Sequence, residues 1–428
     1  MKASKFGTDG IRGVYGDTLT EQTAYALGYA LGKRGKVLIG RDNRLSSPAL
    51  AKSVACGVAR GGSDSRSVGL ITTPALYYLL TKTDNDFAVM VTASHNPPDH
   101  NGLKVFTREG KPSPDERKEI EEGIASAKGA PDDRFSYEET PSLLALYEEF
   151  FRQAIGSLHG LTVVVDYAGG AGGVFKGLLG TLGAHVIPLN LRACGDRINV
   201  DSGALHPSLC ARETHRLGAD LGFAIDGDGD RIIAADRTGT LLDGDRITYL
   251  LACRKKARGA LPHDSVAMTV MTNGGVIKSL NEKGITVRSC AVGDSAVAAT
   301  MKAEGLALGG EQSGHVILGD LLLTGDAMLV GATLLKSIAE EGPLALTPPP
   351  TIYPQVSFDL PVPDKRIAED PRLRAFAAKI KEELIGGRVL LRASGTEEVV
   401  RIMVEHPEEE TARTAAMRLK QKVLSCTQ

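Results

Sequence analysis

The chain has 428 residues, 42% hydrophobic and 24% charged, and its 50 Lys plus Arg against 52 Asp plus Glu leave a formal charge of -2. That length suggests two to four domains, and the balanced charge excludes a molecule drawn as a whole to nucleic acid or anionic membrane, so any anion site must be local. The 6 cysteines are scattered without a Cys-x-x-Cys pair, which argues against a disulfide framework or a zinc site and for reduced cytoplasmic thiols. The N-terminus has lysines but no apolar run behind them, so no secretory signal is expected, and no stretch approaches the ~18 apolar residues of a membrane span.

In chain order one pattern recurs. A short apolar run stops in a polar, glycine-containing turn, at residues 36–40, 87–91, 161–165, 221–225, 266–270 and 306–309. The runs are unbroken rather than alternating, as in strands buried on both faces. Helical patterns lie between them, the clearest at 20–34. Ser47-Pro48, Thr73-Pro74, Ser113-Pro114 and Thr140-Pro141 each read as an N-cap followed by proline at the first helical position. Strand alternating with helix predicts α/β layers with mixed, mostly parallel sheets, whose ligands sit beyond the carboxyl ends of strands. After Pro348-Pro349-Pro350 the pattern changes. Strands at 356–360, 388–391 and 399–404 and amphipathic helices at 372–384 and 408–423 predict a smaller α+β domain. The expected domains are 1–152, 153–246, 247–352 and 353–428.

The polar turns carry the chemistry. In Asp226-Gly-Asp228-Gly-Asp230-Arg231 the carboxylates recur at every second residue, so an extended loop projects all three the same way. Three like charges that close are costly without a cation. An EF-hand is excluded, because its sixth and twelfth positions would be Arg231 and Arg237. Hard oxygen ligands in a compact loop suit Mg²⁺, which shares its shell readily with phosphate oxygens. Thr92-Ala-Ser94-His95-Asn-Pro97 lacks the flanking glycines of a hydrolase elbow. A phosphate on Ser94 would supply the partner that the acidic loop asks for. Arg392-Ala-Ser394-Gly395-Thr396, with Arg401 beyond it, offers hydroxyls, backbone amides and guanidinium groups that would cradle a phosphate. Arg12 and Arg41 are further basic candidates. Glu311, Ser313 and His315, in Gly309-Gly-Glu-Gln-Ser-Gly-His315, suit recognition of sugar hydroxyls. Gly-x-x-x-x-Gly-Lys-Ser/Thr and Gly-x-Gly-x-x-Gly are both absent, which disfavours a nucleotide-driven kinase or an NAD enzyme.

Together these residues resemble the α-D-phosphohexomutase family along nearly the whole chain. The carriers are residues 6–13, the serine loop 92–97, Asn101-Gly-Leu-Lys104, the 226–231 loop, residues 310–315 and 392–397, in the family's order and spacing. The resemblance implies three similar α/β domains and a C-terminal α+β domain in a heart-shaped arrangement around a central cleft. Within the family the chain is similar to its phosphoglucosamine mutase branch, on residues 6–13, Gln312, Val292-Gly-Asp294 and Tyr353-Pro-Gln-Val356.

By resemblance, Ser94 carries the phosphoryl group and completes a Mg²⁺ shell with Asp226, Asp228 and Asp230. The expected reaction interconverts glucosamine 6-phosphate and glucosamine 1-phosphate through a 1,6-bisphosphate, with such a bisphosphate as primer. Arg12 and Arg231 offset charge on the moving phosphoryl group, Lys104 and His315 are candidates for proton transfer, and Arg41 and His95 contact substrate. The partner is then a small sugar phosphate, with neither nucleic acid nor membrane. A homodimer is compatible with this, although the sequence gives no oligomeric state. The rival readings are mannose or glucose phosphate specificity on the same machinery, a catalytically idle sugar-phosphate binder, and a phosphatase. Four positions depart from the family's usual pattern, Ala168-Gly-Gly170 for Asn-Gly-Ala, Ser295 for Arg, Leu323 for Thr, and Glu398 for Pro, and of these Ser295 and Leu323 bear on substrate contacts.

Overall fold

The structure, a computed structural model, describes residues 6–7, 10–192, 195–344, 347–394 and 398–426. They fall into two compact units, Met1–Val270 with Arg288–Pro348, and Met271–Val287 with Pro349–Gln428.

The first unit opens with β1 (Ile11–Val14), β2 (Val37–Arg41), β3 (Ser65–Leu70), β4 (Phe87–Val91) and β5 (His100–Thr107), in the sheet order β1-β5-β4-β2-β3. The apolar runs make the parallel interior, β2 beside β3 and β4, while β5 and β1 add antiparallel strands. Helices α1 (Glu21–Gly32), α2 (Ser47–Gly61), α3 (Thr73–Lys82), α4 (Pro114–Ala125) and α5 (Leu144–Ile155) belong to this segment. Leu27, Leu31, Val54 and Val58 from α1 and α2 join Val37, Ile39, Val89 and Val91 in one core. The two helices cross at glycines: a Cβ on Gly28 would lie 2.1 Å from the Val54 carbonyl oxygen.

A second sheet repeats the plan. It contains β6 (Thr162–Asp166), β7 (His185–Leu189), β8 (Leu221–Ile225), β9 (Ile232–Asp236) and β10 (Leu241–Leu242), in the order β10-β9-β8-β6-β7, with helices α6 (Leu178–Thr181) and α7 (Ser208–Leu217). Again the apolar runs β6 and β8 pair in parallel and an antiparallel strand, β9, follows the acidic 226–231 loop. The chain continues through α8 (Gly244–Ala257), β11 (Ser265–Thr269), α9 (Gly274–Glu282), β12 (Thr286–Cys290), α10 (Asp294–Glu304), β13 (Leu308–Gly310), β14 (Val316–Leu318) and α11 (Ala327–Glu341). Its sheet has the order β12-β11-β13-β14.

The second unit holds an antiparallel sheet, β15-β17-β16, of β15 (Gln355–Pro361), β16 (Arg388–Ala393) and β17 (Val399–Glu405), with α12 (Pro371–Glu383) and α13 (Glu409–Cys426). Leu373, Ile380, Val400, Ile402, Val404, Leu419 and Val423 are its core. Helix α9 belongs here because the buried Glu405 carboxylate accepts from the Gly274 amide at 2.8 Å and from Gln355 Nε2 at 2.7 Å. Among the described residues no helix is long and apolar enough to cross a membrane.

Two of the four expected helix caps sit one residue earlier than expected. Ser46 and Thr72, not Ser47 and Thr73, are the N-caps of α2 and α3. The displaced hydroxyls have other work: Ser47 Oγ donates to Asp42 at 2.6 Å and Thr73 Oγ1 to Asp228 at 2.5 Å. Ser113 caps α4 with a complete capping box to Glu116. Thr140 precedes a single 3₁₀ turn, Pro141–Leu143, that leads into α5.

Candidate active site

Ser94 lies one turn past the end of β4, and its backbone is left-handed, with φ 53°. A non-glycine residue held there costs ~1–3 kcal/mol and persists only when its surroundings over-determine it. They do so here. The Ser94 amide donates to Thr92 Oγ1 at 2.9 Å, and Thr92 Oγ1 donates in turn to Asp42 Oδ2 at 2.7 Å. Arg44, fully buried, pairs with Asp42 through Nε at 2.9 Å. Its remaining nitrogens donate to the carbonyls of Ser94 and Asn96, each at 2.9 Å, of His100 at 3.0 Å, and of Pro97. Asn199 Nδ2 adds a further bond to the Ser94 carbonyl at 2.8 Å. The loop is therefore clamped from its carbonyl side while its hydroxyl stays available.

That hydroxyl meets the acidic loop that follows β8. Ser94 Oγ donates to Asp226 Oδ2 at 2.6 Å. Asp226 Oδ1 accepts the amides of Asp230 and Arg231, both at 3.1 Å, which curls the loop so that Asp226, Asp228 and Asp230 present ligand atoms within 4.8 Å of one another, all buried. Close approach of the two loops requires Gly227, where a Cβ would lie 2.7 Å from the Ser94 carbonyl oxygen. Lys104, on β5, donates from Nζ to Asp228 Oδ2 at 2.6 Å and to Asp230 Oδ2 at 2.7 Å.

The electrostatics set Asp226 and Asp230 apart. Burial, then the charges of Asp230 and Asp228, pushes the Asp226 carboxyl well above its ordinary value. Burial alone would raise Asp230 as well, but Lys104, His315 and Arg231 outweigh it and hold that carboxyl far below. Two buried oxygens, Asp228 Oδ1 and Asp230 Oδ1, have no hydrogen-bond partner among the described residues. Buried, orphaned carboxylate oxygens beside a third carboxylate form a hard, oxygen-only donor set, and Mg²⁺ fits it.

Cations and rings surround the pair of loops. Arg231 adjoins Asp230; burial lowers its pKa, yet Asp230, Asp226 and Glu311 raise it overall. His95 Nδ1 lies 3.3 Å from Ser94 Oγ, and burial, then Arg231 and Arg12, lowers the imidazole to about 4, so it is neutral at pH 7. Arg12, on β1 opposite Gly102, is thus part of the same field. The 311–315 turn packs on β9, with the Ile232 amide bonding the Gly314 carbonyl at 3.0 Å. In it Glu311 Oε1 accepts the Gly293 amide at 2.9 Å and Ser313 is exposed. His315 is buried, and its Nε2 accepts the Gly325 amide at 3.1 Å, which leaves the ring proton of the neutral form on Nδ1.

Arg41, a candidate from sequence, is not drawn into this cluster by its hydrogen bonds. Its guanidinium pairs with Glu139 at 3.2 Å. In the second unit, Arg392 and Arg401 are directly opposed across β16 and β17. Burial, then the Arg401 charge, lowers the Arg392 pKa, and Asp359, which pairs with Arg401 at 3.5 Å, opposes this in part. Ser394 is buried, with its amide on the Val399 carbonyl at 2.8 Å. Gly395 and Thr396 lie outside the described residues.

Sequence reasoning passed over Asp42, Arg44, Thr73 and Asn199. A signal existed for the first two: Asp-x-Arg stands at the carboxyl end of β2, the parallel neighbour of the strand that feeds Ser94. Asn199 carries none, because it acts from a loop 105 residues away.

Comparison with known proteins points to one family. Family models described as phosphoglucomutase/phosphomannomutase match in four successive pieces: alpha/beta/alpha domain I at residues 3–130, domain II at 145–239, domain III at 243–347, and the C-terminal domain at 359–422. A phosphoglucosamine mutase of Corynebacterium glutamicum is 40% identical over 97% of this chain and 98% of its own. A crystal structure of a phosphoglucomutase/phosphomannomutase family protein from Burkholderia thailandensis superposes with a TM-score of 0.83 at 27% identity, covering 99% of this chain and 97% of that one. The fold is also that of Aspergillus fumigatus N-acetylphosphoglucosamine mutase, solved with GlcNAc-6P and magnesium, at TM-score 0.69 and 18% identity, over 100% of this chain and 96% of that one.

Proposed function

The chain belongs to the phosphoglucomutase/phosphomannomutase family, and on that premise we propose that it interconverts glucosamine 6-phosphate and glucosamine 1-phosphate through phosphorylated Ser94. The observation that carries the reading is the 2.6 Å bond from Ser94 Oγ to Asp226, which joins a strained serine to a buried carboxylate triad. In the forward half-reaction the sugar 1-hydroxyl attacks the phosphorus on Ser94. The bond from phosphorus to Ser94 Oγ breaks, the hydroxyl proton passes to a base, and the serine oxygen takes up a proton. The 1,6-bisphosphate turns over in the site, and Ser94 Oγ then attacks its 6-phosphate and releases glucosamine 1-phosphate.

Asp226, Asp228, Asp230 and a phosphate oxygen on Ser94 would hold one Mg²⁺. Bound there, the ion supplies Lewis-acid stabilisation of charge on the transferring phosphoryl group. Arg231 and Arg12 add fixed positive charge beside it. Lys104 brings an ammonium between Asp228 and Asp230, and with His315 is the candidate pair for proton transfer. Glu311 and Ser313 are assigned to sugar hydroxyls, and His95 to the phosphoryl group beside Ser94. Arg392, Ser394, Gly395, Thr396 and Arg401 are assigned to the substrate's other phosphate, and Arg41 to an outer contact. A bisphosphate primer and a cytoplasmic location complete the reading.

A second reading, mannose or glucose phosphate as substrate, draws on one observation. Ser295 and Leu323 line a mainly apolar pocket of about 180 Å³ together with His315. The deciding experiment is primed turnover of glucosamine, mannose and glucose 6-phosphates with Mg²⁺, beside intact-mass measurement of the primed protein. Preference for the amino sugar and a Ser94-borne phosphoryl group are expected. Preference for another hexose would transfer the assignment to the second reading. No turnover and no phosphoryl uptake would overturn both.

A further inference from the structure

We propose that Asp326, held by Tyr147, is a positioning residue for this reaction: it fixes the short turn whose amides at Gly325 and Ala327 hold His315 and the acidic loop. The proposal rests on the mutase reading of Ser94 and His315. The turn is Thr324 to Ala327, at the start of α11. The Gly325 amide donates to His315 Nε2 at 3.1 Å, and two residues on the Ala327 amide donates to the Gly229 carbonyl at 3.0 Å. One backbone turn therefore sets the imidazole orientation and braces the loop between Asp228 and Asp230. There is no slack in it. A Cβ on Gly325 would lie 2.6 Å from His315 Cε1 and Nε2 and 2.7 Å from the Asp230 carbonyl oxygen.

Between those two amides stands Asp326, 2% exposed. Its Oδ1 accepts the Leu329 amide at 3.0 Å, which caps α11, and its Oδ2 accepts the Tyr147 hydroxyl at 2.7 Å. Tyr147 is itself rigid. It is fully buried on α5, with the Phe175 ring 4.9 Å away and Tyr78, Phe150 and Phe151 around it. The carboxylate thus ties the turn both to its own helix and to an aromatic wall from a different part of the chain. A bond made to a group that in turn orients a functional side chain is worth little in binding and much in orientation.

The test uses the full-length protein, carrying Asp326→Ala, Asp326→Asn or Tyr147→Phe. The first readout is the pair of His315 ring ¹⁵N resonances in histidine-labelled protein, identified by their loss in His315→Gln. The second is the split of kcat against KM in the primed assay. In the wild type Nε2 is expected as the unprotonated nitrogen. Asp326→Ala and Tyr147→Phe should shift the ring toward a mixture of tautomers and lower kcat by ~10–100-fold, with KM within about twofold. Asp326→Asn, which keeps the cap and a partner for the tyrosine hydroxyl, should recover most of that loss. Should Asp326→Ala fail to fold, Tyr147→Phe carries the test alone. Ring signals unchanged in folded variants, or wild-type kcat in them, overturn the proposal. If the wild type turns over no sugar phosphate, the mutase reading fails, and the ring signals alone decide whether the brace exists.

Discussion

At the scale of single residues the site divides into groups that do chemistry and groups that hold them. Ser94 and the three aspartates were legible in the sequence because their chemistry is local: carboxylates at alternate positions and a serine after a buried strand need no other part of the chain to be recognised. Arg44 went unread although Asp-x-Arg ends β2, because its targets are backbone carbonyls that any residue possesses. Its removal should nonetheless be severe. Arg44→Met would remove the charge partner of the buried Asp42 carboxylate, which keeps only the hydroxyls of Ser47 and Thr92 and a backbone amide, and would take one donor from each of four carbonyls. Breaking one side of a buried pair costs ~3–5 kcal/mol. Chemical denaturation of the variant is expected to show a loss of that order, with turnover collapsing as Ser94 leaves its left-handed geometry. A loss under about 1 kcal/mol would mean that the clamp is not what holds the loop. Ser94→Ala is the complementary case. It removes only the hydroxyl, so phosphoryl uptake and turnover should vanish while glucosamine 6-phosphate still binds, as titration calorimetry would read. Turnover retained by Ser94→Ala would remove the serine from the reaction.

At the scale of elements, legibility followed burial. The six unbroken apolar runs lie within a residue or two of β2, β4, β6, β8, β11 and β13, because a strand covered on both faces must be apolar throughout. Of the antiparallel additions, β1 mixes Arg and Gly into its four residues and carried no such pattern, whereas β9 and β14 are apolar and went unread because each directly follows a polar loop. The caps at Ser47 and Thr73 moved because site chemistry claimed their hydroxyls, a tertiary demand that no local signature contains. The N-terminus of α11 shows the same competition in energetic form. Burial raises Asp326 from 3.8 to about 6, more than its bonds from the Leu329 amide and Tyr147 lower it. A carboxyl raised on folding contributes stability that is fully present below its unfolded value and lost as pH rises through its folded value. Between pH 3.8 and about 6 the protein should therefore lose ~3 kcal/mol from this group. Asp326→Asn keeps the cap without the charge. Relative to the wild type it should gain in thermal midpoint between pH 5 and pH 7. An equal difference at both pH values would show that the carboxyl does not carry the linkage.

At the scale of the whole molecule, each unit has its own core, and the carboxylate triad lies entirely in the larger one. The triad is a standing electrostatic cost there, which Lys104 offsets only in part, since it reaches Asp228 and Asp230 but not Asp226 by hydrogen bond. A cation that binds the folded triad and not the unfolded chain must stabilise the fold, by ~2.7 kcal/mol at about a hundred times its dissociation constant. Calorimetric scans should accordingly show Mg²⁺ raising the unfolding temperature of the wild type, and the rise should disappear in Asp228→Asn. The pH dependence has a definite sign. Asp226 is raised by burial and by its two neighbours, so the metal-free fold favours its protonated form at low pH, and Mg²⁺ must displace that proton. The stabilisation by Mg²⁺ should grow as pH rises and shrink as it falls, opposite in direction to the contribution of the Asp226 proton itself. A Mg²⁺ shift that is independent of pH would place the ion away from Asp226, and with it away from the Ser94 hydroxyl.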